Sequence, residues 1–86
     1  MLDHLETLYL NDNQLWQLPE VITQLDSLQV LALENNSLGI LPWELGQMPN
    51  LQILTLSNNP IVSDIPLYIL NGEIDDLLSY IQENSN

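Results

Sequence analysis

The chain has 86 residues, with 12 Asp and Glu, one His, no Cys and no Lys or Arg, for a formal net charge of −12. Without cations it cannot neutralise phosphates, so nucleic acid and anionic membranes are excluded as expected partners, and a partner with a basic surface is favoured. Without thiols there are no disulfides. The start Met1-Leu2-Asp3-His4 carries no leader and no stretch is apolar for long enough to span a bilayer, so the expected location is the cytoplasm.

Near the N-terminus, Leu5, Leu8, Leu10, Asn13, Leu15 and Leu18-Pro19 form a line that returns 23 residues later as Leu28, Leu31, Leu33, Asn36, Leu38 and Leu41-Pro42. It returns again as Leu51, Leu54, Leu56, Asn59 and Ile61. It then slips by one residue at Val62-Ser63-Asp64, so that Ile65-Pro66 falls 24 after Leu41-Pro42. A fixed period of this size means stacked coils, each too small to bury its own apolar face. The slip marks the end of the array.

Within each copy, Leu8 and Leu10, Leu31 and Leu33, and Leu54 and Leu56 alternate with their neighbours. Period two predicts a short strand with one buried face, and equal spacing places the strands side by side in a parallel sheet. Asn13, Asn36 and Asn59 come where the chain leaves the strand and turns inward. A carboxamide offers donors and an acceptor to the backbone groups such a turn buries, so these residues are expected to form a structural ladder. The return half reads Leu18-Pro19 to Ile22 and Leu25, Leu41-Pro42 to Leu45 and Met48, and Ile65-Pro66 to Ile69. Apolar spacings of three predict a short helix or 3₁₀ turn, with Pro at its first position.

Asn71-Gly72 marks a turn. After it Ile74, Leu77, Leu78 and Ile81 follow helical spacing, with Glu73, Asp75 and Asp76 at the start, where the helix dipole favours anions. The expected organisation is three coils over residues 1–70, the first incomplete on its N-terminal side, then a capping helix and frayed tail over 71–86. Leu2 aligns with Leu25 and Met48, the tail of a coil, which leaves the edge of Leu5, Leu8, Leu10 and Leu15 open. Three readings of that edge stand side by side: a piece of a longer array, self-association through the edge, or a thin lid made by Met1 and Leu2.

The line L-x-x-L-x-L-x-x-N-x-L, repeated in register from Leu2 to about Ile69, resembles the leucine-rich repeat. Its 23-residue length with Leu-Pro in the return arm is similar to the intracellular Ras-group type. Asn59-Pro60, Pro66, Ile69, Gly72 and Leu78-Ser79-Tyr80-Ile81 are similar to the way such arrays end, with Gln82 where family members usually carry a basic residue. Residues 41–60 also resemble the leucine-rich segment of fungal carbon-catabolite-repression deadenylases. The resemblance implies an α/β leucine-rich repeat solenoid, with a concave parallel sheet, helical return arms and a terminal helix. It implies a non-enzymatic protein-interaction module of an intracellular scaffold or signalling protein, with a small GTPase as one partner class. The alternatives it implies are an accessory segment of a larger enzyme, either a Roc-type GTPase or a deadenylase. The absent cations also fit an engineered or stand-alone repeat protein.

No chemistry-bearing constellation emerges. His4 is the one histidine and no nucleophile is enforced beside it, while Asn11-Asp12-Asn13 and Asp75-Asp76 are short polar clusters with turn and helix-start roles. No catalytic, cofactor or metal site is expected. A surface remains: the outward strand positions Thr7, Tyr9, Asn11 and Asp12, then Val30, Ala32, Glu34 and Asn35, then Ile53, Thr55, Ser57 and Asn58. Read across strands they make rows, apolar or aromatic first and polar or acidic later, a composition suited to a protein partner. Trp16 is expected half-exposed on the ascending loop, and Trp43 on the convex side.

Overall fold

The computed structural model describes residues 4–84. Strands β1 (Thr7–Tyr9), β2 (Val30–Ala32) and β3 (Ile53–Thr55) form one parallel sheet in the order β1-β2-β3. The register pairs Thr7 with Val30 and Val30 with Ile53, and Tyr9 with Ala32 and Ala32 with Thr55, which is the 23-residue offset of the sequence. Strands of three residues cannot hold a sheet alone. The ladder is therefore extended on both sides, by Val30 N–H to Glu6 C=O, Leu10 N–H to Ala32 C=O and Asp12 N–H to Glu34 C=O. The same bonds recur one coil later, from Ile53 to Gln29, Leu33 to Thr55 and Asn35 to Ser57.

The inward face of the sheet builds the core. Leu28, Leu31 and Leu33 of the middle coil are fully buried, together with Leu38 and Leu45. Leu8 and Leu54, the counterparts of Leu31 on the outer coils, are only half-buried. A coil in a solenoid is covered by its neighbours alone, so the middle one gains most. Each completely buried leucine contributes about 2 kcal/mol of transfer free energy. On the N-terminal side, Leu5, Leu8, Leu10 and Leu15 pack against this core as partly buried residues. The proposed lid of Met1 and Leu2 lies outside the described residues, as do the last two residues of the tail.

The return arms are 3₁₀ helices, Glu20–Gln24 and Trp43–Gln47. Each begins one residue later than the spacing predicts: Pro19 and Pro42 are caps with extended ψ of 130° and 138°, and not first helical residues. Proline's fixed φ suits both positions, so the shift costs nothing. The third coil is built differently. Its extra residue is absorbed in a 3₁₀ helix over Pro60–Asp64, which the earlier coils lack, and its return arm shrinks to one turn, α1 (Leu67–Leu70).

Helix α2 (Ile74–Asn84) buries Leu77, Leu78 and Ile81. It does not simply lie beyond the last coil, as its role as a cap would suggest. It packs chiefly on the return arm Trp43–Gln47 of the second coil, with a smaller contact to α1. The short third return arm leaves room for that approach. Gly46 provides it: a Cβ there would run into the Leu78 carbonyl oxygen and would lie 2.7 Å from Gln82 Cβ and 2.9 Å from Gln82 N.

The chain's twelve carboxylates have no Lys or Arg to pair with. Their mutual repulsion opposes the compact state and is screened by salt. The melting temperature is therefore expected to rise by several degrees as NaCl goes from about 10 mM to about 200 mM, where the Debye length has fallen below about 10 Å. A flat or falling melting temperature in differential scanning calorimetry would mean that repulsion is not a term in this fold.

Candidate functional site

The concave face is set by the rows that the strand register lines up across the sheet. Thr7, Val30 and Ile53 form the first row, and Tyr9, Ala32 and Thr55 the second. Tyr9 and Ile53 stand on the two outer strands, 70% and 52% exposed. Ala32, between Tyr9 and Thr55, is only 6% exposed. A methyl group on the central strand sinks below its larger neighbours, so a partner would meet Tyr9 and Thr55 on either side of it and not Ala32. Val30 is half-buried for the same reason, while Thr7 and Ser57 are exposed and Asn11 half-buried.

The polar rows are tied together. Thr55 donates its hydroxyl to Glu34 Oε1 at 2.6 Å, which fixes the carboxylate across two strands. The last row, Asp12, Asn35 and Asn58, forms a side-chain ladder. Asn58 Nδ2 donates to Asn35 Oδ1 at 2.6 Å, and Asn35 Nδ2 donates to Asp12 Oδ1 at 2.6 Å. Asp12 Oδ2 then accepts from Asn11 Nδ2 at 3.1 Å. The donors all point toward the first coil, and Asp12, an acceptor only, ends the series.

Backbone geometry explains those residue types. Asp12, Asn35 and Asn58 have φ of 63°, 62° and 60°, the left-handed region. Most side chains lose about 1–2 kcal/mol there, and Asn and Asp tolerate it best. A periodic Asx-Asn pair at the end of each strand is the sequence signal for this arrangement; alternation alone would place Asp12, Asn35 and Asn58 on the inward side with Leu10, Leu33 and Leu56, and the left-handed φ is what breaks it.

Asn36 and Asn59 follow that row and are buried. Asn36 Oδ1 accepts from Leu15 N–H at 3.0 Å, and its Nδ2 donates to Leu10 and Leu33 carbonyls at 3.0 and 2.9 Å. Asn59 repeats this one coil on, with Leu38 N–H at 3.0 Å and the Leu33 and Leu56 carbonyls at 2.9 Å. Each amide therefore bridges to the backbone of the coil before it, and not to the next amide. Asn13 is exposed, and among the described residues its Nδ2 reaches the Leu10 and Asn11 carbonyls of its own coil.

Most of the exposed apolar surface lies off the concave face. Trp16, more exposed than the half expected, Val21, Ile40, Trp43, Leu67 and Tyr68 all stand outside the sheet. Among the described residues no three His, Cys, Asp or Glu side chains stand close enough to hold a metal ion. No helix among them is long and apolar enough to cross a membrane. His4 is exposed.

Two family models match the chain, both described as leucine rich repeat, over residues 3–61 and 50–79. A search of curated proteins finds no match.

Proposed function

We propose a function from one premise: the chain belongs to the leucine-rich repeat family, whose coils generally bind protein partners. The chain is read as a non-enzymatic interaction module that offers its concave sheet to a protein with a basic surface. The observation that carries this is the exposure of Tyr9 and Ile53 on a sheet whose polar rows are held by Glu34, Asp12, Asn35 and Asn58. Aromatic and aliphatic anchors on an already ordered surface lose little entropy on binding.

Charge sets the choice of partner. Two copies at −12 each repel, so a cationic surface is favoured over self-association at the edge of Leu5 and Leu15. The resemblance of the 23-residue period and its Leu-Pro return arms to the intracellular Ras-group type of repeat favours a place in a cytoplasmic scaffold or signalling protein, with a small GTPase as one partner class.

The test is affinity capture followed by mass spectrometry, with Tyr9→Ala and Ile53→Asp beside the unchanged chain. Both side chains are exposed, so melting temperatures should stay within a few degrees. Proteins retained by the unchanged chain, enriched in basic surfaces, should fall at least about tenfold with either variant, as for interface anchors. Equal recovery from all three would refute the concave reading.

A further inference from the structure

The terminal helix has a second ordered face. Leu77, Leu78 and Ile81 point into the core, and on the opposite side Asp76, Ser79, Tyr80 and Glu83 follow i, i+3, i+4, i+7. That stripe forms one wall of an open groove of about 400 Å³, and Tyr68 and Ile69 of α1 form the other. Tyr80 donates its hydroxyl to the Asp64 carbonyl at 3.0 Å, so its ring is a fixed wall. Tyr68 is 77% exposed, and Leu67 before it in the chain is 73% exposed, so two consecutive large apolar side chains stand in solvent here. Nothing in the repeat requires this. At the corresponding sites the earlier coils carry Glu20-Val21 and Trp43-Glu44, one apolar residue each.

We propose that this groove docks a segment of a protein partner carrying two basic side chains with an apolar one between them. The apolar floor calls for an apolar side chain, and charge complementarity selects the flanking groups. Asp76 and Glu83 open onto the groove, and the chain has no Lys or Arg to answer them. Seven residues of helix separate the two carboxylates by about 10 Å, more than one guanidinium can bridge. Two cations spaced i, i+3 in a polyproline II segment lie on one side of it and span nearly the same distance, at three residues per turn and about 3.1 Å per residue. The face of Tyr68 lies open to one of them, where an aromatic quadrupole attracts a cation. The site is distinct from the concave sheet, so the module has a second point of attachment at its C-terminal end.

The experiment is a titration of the isotope-labelled chain, followed by amide NMR shifts, with an acetylated and amidated twelve-residue peptide repeating Arg-Leu-Ser. A matched peptide repeating Glu-Leu-Ser is the control. The expected result is saturable shifts at residues 67–69, 76, 79, 80 and 83 with the arginine peptide only, weakening as salt rises from about 20 to about 200 mM. Tyr68→Ala, and the double change Asp76→Asn with Glu83→Gln, should each weaken binding about tenfold without altering the dispersion of the other amides. Tyr9→Ala and Ile53→Asp should leave it unchanged. The proposal is overturned by shifts spread over the acids of all coils, by shifts centred on the concave sheet, or by affinity indifferent to Tyr68→Ala. Absence of saturable binding below about 1 mM, a free energy of about −4 kcal/mol, overturns it as well.

Discussion

Asn59→Ala is expected to cost about 4 kcal/mol of stability, Asn36→Ala about 3 and Asn13→Ala less than about 1, although the three occupy the same place in the repeat. Alanine at 59 strands the N–H of Leu38, a residue with no exposure, and removes a donor from the Leu33 and Leu56 carbonyls. Each buried group left unpaired costs about 1–3 kcal/mol, because water cannot reach it. At 36 the same three bonds are lost, but Leu15 and Leu10 are only partly buried and water recovers some of the loss. At 13 the bonds are local and exposed.

The Leu33 carbonyl accepts from both Asn36 and Asn59, so the double variant should be non-additive. Urea unfolding midpoints at constant slope measure all four. A domain of this size has total stability on the order of 5–10 kcal/mol, so Asn59→Ala should be close to unfolding at 37 °C. Equal costs at 13, 36 and 59 would show that the amides act within their own coils and not between them.

Gly46→Ala is the second large effect, at about 3 kcal/mol, or a fall of roughly 15 °C in melting temperature for a chain of this length. The added methyl meets the backbone of α2 at Leu78 and Gln82, and backbone cannot rotate away as a side chain can. Either α2 lifts from the second return arm, uncovering Leu77, Leu78 and Ile81, or the arm is pushed into Leu45. Gly39→Ala is the control. Nothing lies within 4 Å of a Cβ there and its φ is not positive, so the change should be neutral or stabilise by up to about 1 kcal/mol through the unfolded chain. If Gly46→Ala melts where Gly39→Ala does, the helix is not seated on Gly46.

The seat of α2 could not be read from the spacing of Ile74, Leu77, Leu78 and Ile81. That spacing names the face a helix buries but not the element it is buried against. One signal was available in Gly46 itself. Glycine inside a helical return arm costs about 1 kcal/mol relative to alanine, and its presence calls for a close approach by something else. The identity of that neighbour follows only from the shortened third return arm.

What the sequence by itself determined is everything that recurs. An offset of 23 residues places Leu8, Leu31 and Leu54 in one register and makes strand, turn and return arm the same object three times. Each coil needs an identical neighbour at a fixed distance, so periodicity is the packing rule written linearly. Only the tertiary structure decided what breaks the period. Asn13, Asn36 and Asn59 are one letter, yet only the latter two have a preceding described coil whose carbonyls they can reach. Ala32 lies on the outward side of its strand, yet is covered by the residues on either side. Leu67 and Tyr68 look like the start of another buried arm, yet stand in solvent, because α2 is seated on the second return arm, where a third arm would otherwise pack. Contacts between unlike segments depend on shape and crossing angle, and these exist only once the chain has folded.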